Sequence, residues 1–107
     1  MRILLIDVDS KIPNLALMKL SKYHKNNNNL VHFLSLGMAY YPRKREKIHE
    51  IKAEYDQIYA SVLYNDNWKK VKGENIIFRG TGYDLKVKLP LEIENLEPDY
   101  SIYPNNE

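Results

Sequence analysis

The stretch Arg2 to Lys25, RILLIDVDSKIPNLALMKLSKYHK, decides the fold. Ile3 to Ile6 is an unbroken apolar run closed by Asp7, the pattern of a strand covered on both faces, as in a parallel sheet; a strand with one wet face would alternate. Pro13 suits a helix start, where its fixed φ is already helical and its missing N–H costs nothing. Leu15, Ala16, Met18, Leu20 and Tyr23 follow at helical spacings, which predicts a helix from Pro13 to Lys25. Lys22 and Lys25 suit the negative end of its dipole, and Asn26 to Asn29 can supply left-handed turn residues before the chain reverses.

Outward from that unit the alternation continues. Leu30 to Leu36 reads as a second strand and Gly37 to Pro42 as a loop. Ile48, Ile51 and Tyr55 mark one face of a short helix over Arg43 to Glu54. Gln57 to Tyr64 is dense in β-branched and aromatic residues and reads as a third strand. Asn65 to Lys72 suits one or two helical turns around Trp68 and Val71, with Trp68 broad enough to cover a sheet. Ile76 to Phe78 is the fourth strand, ended by Gly80 and Gly82. Beyond Asp84, Pro90, Pro98 and Pro104 forbid long regular elements, so the tail over 84–107 wraps the domain or reaches toward a partner.

Strands that alternate with helices imply a parallel sheet with right-handed crossovers: an open, doubly wound, Rossmann- or flavodoxin-like α/β domain of about four strands over residues 1–107. Such sheets bind ligands beyond the carboxyl ends of their strands, near the switch in strand order. Four loops are nominated on that ground: Asp7 to Lys11, Leu36 to Ala39, Leu63 to Asn67, and Arg79 to Asp84.

Composition narrows the classes. A chain of 107 residues buries about two thirds of its unfolded surface as one domain and needs no staple. It has no cysteine, which excludes a thiolate-held cluster, a thiol nucleophile and a disulfide framework within this sequence, and accords with the cytoplasm. The only N-terminal apolar run is Ile3 to Ile6, far below the roughly 20 residues that cross a bilayer. Net charge is +2, too small to argue for nucleic acid or a membrane surface. It is unevenly spread: residues 1–53 hold ten basic and four acidic side chains, residues 54–107 six and ten.

Candidate chemistry is sparse. Gly80-Thr81-Gly82 after a strand permits a tight turn or close backbone approach to a ligand, but lacks the third glycine and the immediate helix of a dinucleotide fingerprint. Asp7, Asp9 and Asp66 could converge at strand ends as a magnesium pocket of receiver-like signalling domains, although no lysine-bearing final strand completes the set and the NDN context of Asp66 favours a turn anyway. Tyr40 to Lys47, YYPRKREK, interleaves aromatic and basic residues that could stack bases, but with so small a net charge and no nucleic-acid motif it reads better as a solvated helix start with two loop tyrosines. His24, His32 and His49 fall in separate elements and suggest no metal site. Ser61 lies within a strand without a nucleophile-elbow glycine pattern, so no catalytic residue is assigned.

Three blocks carry a family resemblance: Arg2 to Lys25; LSLGMAYYPRKRE (Leu34 to Glu46) with YDQIYASVLYND (Tyr55 to Asp66); and RGTGYDLKVKLPLEIENLEPDYSIYP (Arg79 to Pro104). In this order they resemble the N-terminal, cobalamin-binding-like domain of radical S-adenosylmethionine superfamily proteins. The resemblance implies a ligand pocket lined by Asp7, Asp9, Ser10, Ser61, Leu63, Gly80, Thr81 and Gly82. In the family's D-x-H-x-x-G motif Asp7 fills the first position, but Asp9 stands in place of the cobalt-binding histidine and Ile12 in place of the glycine. Ser61-Val62-Leu63 keeps the S-x-L motif, while Arg79-Gly80 keeps only half of a double glycine. The resemblance therefore names cobalamin as the cofactor, and these departures argue for a degenerate pocket. It also implies a cysteine-bearing, iron-sulfur catalytic domain as the neighbour or separately encoded partner, since this sequence has no thiolate to hold a cluster. The expectation is a non-catalytic fragment of, or accessory to, such an enzyme.

Overall fold

β1 (Arg2–Asp7) is hydrogen-bonded along both edges, to β2 (Leu30–Ser35) and to β4 (Gln57–Ser61), and both neighbours run parallel to it. β6 (Ile76–Arg79) extends the sheet beyond β4, again in parallel, giving the order β2-β1-β4-β6. This is a computed structural model, and it describes residues 1–38, 43, 46–52, 54–64, 66–80 and 90–103. The doubly wound α/β sheet predicted from the alternation is the one observed. β1 needs to be apolar throughout because it is central: Ile3 and Leu5 face one layer, Leu4 and Ile6 the other, and all four are buried. Each contributes about 1.5–3 kcal/mol by leaving water.

One layer is built on α1 (Leu15–Asn26). The helix starts two residues later than the proline suggested. Asn14 is the cap, its side-chain carbonyl accepting the Leu17 amide at 3.1 Å, and Pro13 stands just before it. The buried stripe is also displaced: Leu17, Met18, Leu20, Ser21 and His24 face inward, while Leu15 is 54% exposed. Two polar residues in that stripe hid it from a reading that looked for apolar side chains alone. The turn closes through Asn28 at φ 62°, as the asparagine run suggested.

The opposite layer differs from expectation. No helix spans Arg43 to Glu54 among the described residues. Instead β3 (His49–Glu50) pairs in parallel with β5 (Val71–Lys72), and the Ile51 amide continues the ladder to the Lys72 carbonyl at 2.7 Å. Ile48, one of the residues that suggested a helical face, is 53% exposed, whereas Ile51 and Tyr55 pack against the core from outside any helix. Strand pairing overrides a helical period of only three apolar residues. A 3-10 turn, Asn67–Lys70, leads into β5 and sets Trp68 edge-on to Phe78, at 6.0 Å between ring centres. This layer joins Leu4, Ile6, Val8, Ile58, Ala60 and Val62 in a second core.

Residues 90–103 return to the helical layer. α2 (Leu91–Glu94) and a 3-10 turn, Tyr100–Ile102, bury Ile93 and Ile102 against Leu17, Met18 and Leu20. The Asp99 amide donates to the Met18 carbonyl, while its carboxylate accepts the Ser21 hydroxyl at 2.7 Å and the Lys25 ammonium at 2.6 Å. Burial raises the Asp99 pKa, but hydrogen bonds from Lys25, Ser101 and Ser21 outweigh it and hold the carboxyl well below the usual range. Ser21 thus lies in the buried stripe because it anchors this segment. The earlier part of the tail, 84–89, lies outside the described residues.

Candidate functional site at the switch point

From β1 the chain passes through α1 to β2 on one side, then crosses to β4 on the other, so strand order reverses between β1 and β4. The crevice beyond their carboxyl ends is the place where such a sheet binds ligands. Asp7 and Ser61 are paired neighbours at those ends, and Asp9 and Ser10 follow Asp7 on the next loop.

Asp9 is fully buried, with 0% exposure. Its carboxylate accepts three hydrogen bonds: Leu63 N–H at 2.7 Å, Tyr64 N–H at 2.9 Å and Asn67 Nδ2 at 2.8 Å. A buried carboxylate is tolerated because these donors replace its water. It pins the loop after β4 to the loop after β1. Leu63 shares that loop, with its side chain partly exposed on the rim.

Asp7 is also buried, accepting the Ser10 amide at 2.9 Å and the Tyr103 hydroxyl at 2.6 Å. Asn14 ties the rest together. Its side-chain amide donates to Ser61 Oγ at 2.8 Å and to Ser10 Oγ at 3.0 Å, and its backbone N–H donates to the Tyr103 hydroxyl at 3.0 Å. The Tyr103 ring lies 4.7 Å from that of Phe33. Burial, and then the bond to Asp7, push the Tyr103 phenol well above its ordinary pKa, so it stays a neutral donor. Asp7, Ser10 and Ser61 are therefore brought together as expected, and two further residues complete the group. Asn14 carried a readable signal as a polar residue before an apolar helical run. Tyr103 carried none, because it lies 96 positions from the carboxylate it meets.

Gly80 ends β6 at φ +106°, and a Cβ there would lie 2.4 Å from the Val62 carbonyl oxygen. Close packing of two strand ends explains this glycine without a ligand. Thr81 and Gly82 lie outside the described residues, as do 40–42 and 44–45 of the basic segment. Arg79 donates from its guanidinium to the Phe78 carbonyl. The three acids do not gather as a magnesium pocket: Asp66 caps the 3-10 turn at φ 68° and pairs with Lys69 at 3.2 Å, and among the described residues no group of three His, Asp or Glu side chains is placed to hold a metal. His24 lies in α1, His32 bonds Tyr55 from β2, and His49 belongs to β3.

An open cleft of about 770 Å³ lies at the other end of the sheet, where Arg2, Lys52, Glu54, Asp56 and Glu74 surround Tyr55 and Ile58. Its charges are dispersed and of both signs. The switch point has the convergent, desolvated polar groups that recognition requires. No protein family, curated protein or solved structure matches this chain.

Proposed function

We propose that this chain is a non-catalytic, cobalamin-binding-like α/β domain, a fragment of or accessory to a radical S-adenosylmethionine enzyme, whose pocket has become self-closed. The observation that carries this reading is the Tyr103 hydroxyl bridging Asp7 and Asn14 at the topological switch point. It supports a pocket retained in position and filled from within. Ser61 has an amide partner rather than a base, and Asp9 is consumed by three donors, so neither nucleophile nor general base stands ready. The fully buried Asp9 at the histidine position of the motif supports the loss of cobalt ligation. The same reading assigns the chain to the cytoplasm, in keeping with its lack of cysteine; no helix among the described residues is long and apolar enough to cross a membrane.

Titration with hydroxocobalamin, followed through the cobalt absorption bands, tests the ligand half. The native chain is expected to leave the spectrum unchanged, and a saturable one-to-one shift would contradict closure. The partner half is tested by co-elution with a cysteine-triplet radical S-adenosylmethionine catalytic domain from the same cell. A stable complex supports the accessory role, and separate elution at micromolar concentrations opposes it.

A further inference from the structure

Tyr103, the last described residue of the strap formed by 90–103, enters the switch point as a ligand would. The Tyr103 ring comes in from the strap that crosses α1, packs on Phe33 and delivers one hydroxyl to two directed partners. One partner, Asp7, accepts; the other, the Asn14 N–H, donates. Such a pair recognises an O–H group and rejects both a bare ring and an ionised oxygen, since a bare ring would leave a buried carboxylate and N–H unmet and an anion would face that carboxylate. Behind them, Ser10 and Ser61 are both held by the Asn14 side chain, which fixes the receptor's geometry independently of the tyrosine. The strap has its own anchorage at Asp99, Ser21, Lys25, Ile93 and Ile102, so its attachment to α1 does not rest on the phenol alone.

We propose that the crevice formed by Asp7, Asn14 and Phe33 is a binding site for a flat, neutral ring bearing a hydroxyl group, which Tyr103 occupies in cis. This rests on the reading of the switch point as a self-closed pocket, but not on cobalamin. The strap is then a tethered occupant, and the class of free ligand that fits in its place is a 4-alkylphenol.

The test uses the full chain with Tyr103→Ala, and p-cresol and toluene as probes. Both have the ring and the methyl group; only p-cresol has the hydroxyl. In thermal unfolding and calorimetric titration, p-cresol is expected to stabilise the variant and to bind about tenfold or more tightly than toluene, the ratio set by a hydrogen bond to a charged acceptor. The native chain, already filled, is expected to show no such discrimination. Equal binding of the two probes, or no binding of either, overturns the proposal, as does an equal response of native and variant chains. If Tyr103→Ala does not fold unaided, refolding it with each probe gives the same reading: recovery with p-cresol alone supports the site, and recovery with both or neither overturns it. A cobalt spectral shift in the native chain would contradict the proposed function while leaving this discrimination to be read separately.

Discussion

The two ends of the sheet are built in opposite ways. At the carboxyl ends of β1 and β4, Asp7, Ser10, Asn14, Ser61 and Tyr103 meet one another's hydrogen-bonding needs, and the buried Asp9 is satisfied by Leu63, Tyr64 and Asn67. At the amino ends, an open cleft is lined by Arg2, Lys52, Glu54, Asp56 and Glu74, where solvent can meet their charges. A charge in water is cheap and adaptable, whereas a charge removed from water demands fixed partners. The closed end is therefore where substitutions should be felt most and where geometry can discriminate between ligands.

The most severe break in this contrast is Asp9→Ala. It leaves the Leu63 and Tyr64 amides and the Asn67 side chain without their acceptor in a partly buried site, and urea unfolding should show a loss of about 3 kcal/mol. Neutralising Glu74 at the open cleft should change stability by less than about 0.5 kcal/mol, as exposed substitutions usually do. Gly80→Ala comes next: its methyl meets the Val62 carbonyl from a positive φ, and a cost of about 2–3 kcal/mol is expected in the same assay. Tyr103→Phe keeps the ring against Phe33 and removes only the hydroxyl, with an expected loss of about 1.5–3 kcal/mol, the range for a hydrogen bond to a charged acceptor.

The order in which these residues could be foreseen follows from how local their reasons are. The β1 run, the helix after it and the alternation of strands depend on neighbours in sequence, and they sufficed for the sheet and for the loop that holds Asp7 and Ser10 at its carboxyl edge, whereas Ser61 is named only through the family resemblance. β3 and β5 are two residues each and have no period to read; their pairing joins positions more than twenty apart. Asp9 lies on one of the loops that the topology nominates, but its role as a brace depends on donors from a loop more than fifty positions away. Tyr103 is farther still, and its buried hydroxyl is explained only once the strap has folded back over α1.

pH provides the gentlest probe of the helical layer. His24 is buried, its Nδ1 meets the Asn29 amide, and burial followed by the nearby N-terminal ammonium lowers its pKa from the ordinary 6.5. The unfolded chain then binds the proton more readily, so this contribution is complete above about pH 6.5 and is lost as pH falls from there toward the lowered folded value. Asp99 adds a second loss at lower pH, as its depressed folded pKa is approached from the ordinary carboxylate value. Unfolding measured from pH 7.5 to 4.5 should show the first decline in the native chain and a flatter profile in His24→Gln.

Closure of the switch point by the chain's own tail is tested most directly by a double-mutant cycle between Asp7→Ala and Tyr103→Phe, with stability read by urea unfolding. If the phenol is seated on the carboxylate, the two changes should couple by about 1.5–3 kcal/mol, the range for a hydrogen bond to a charged group. Losses that simply add, to within about 0.5 kcal/mol, would contradict the contact and with it the self-closed site.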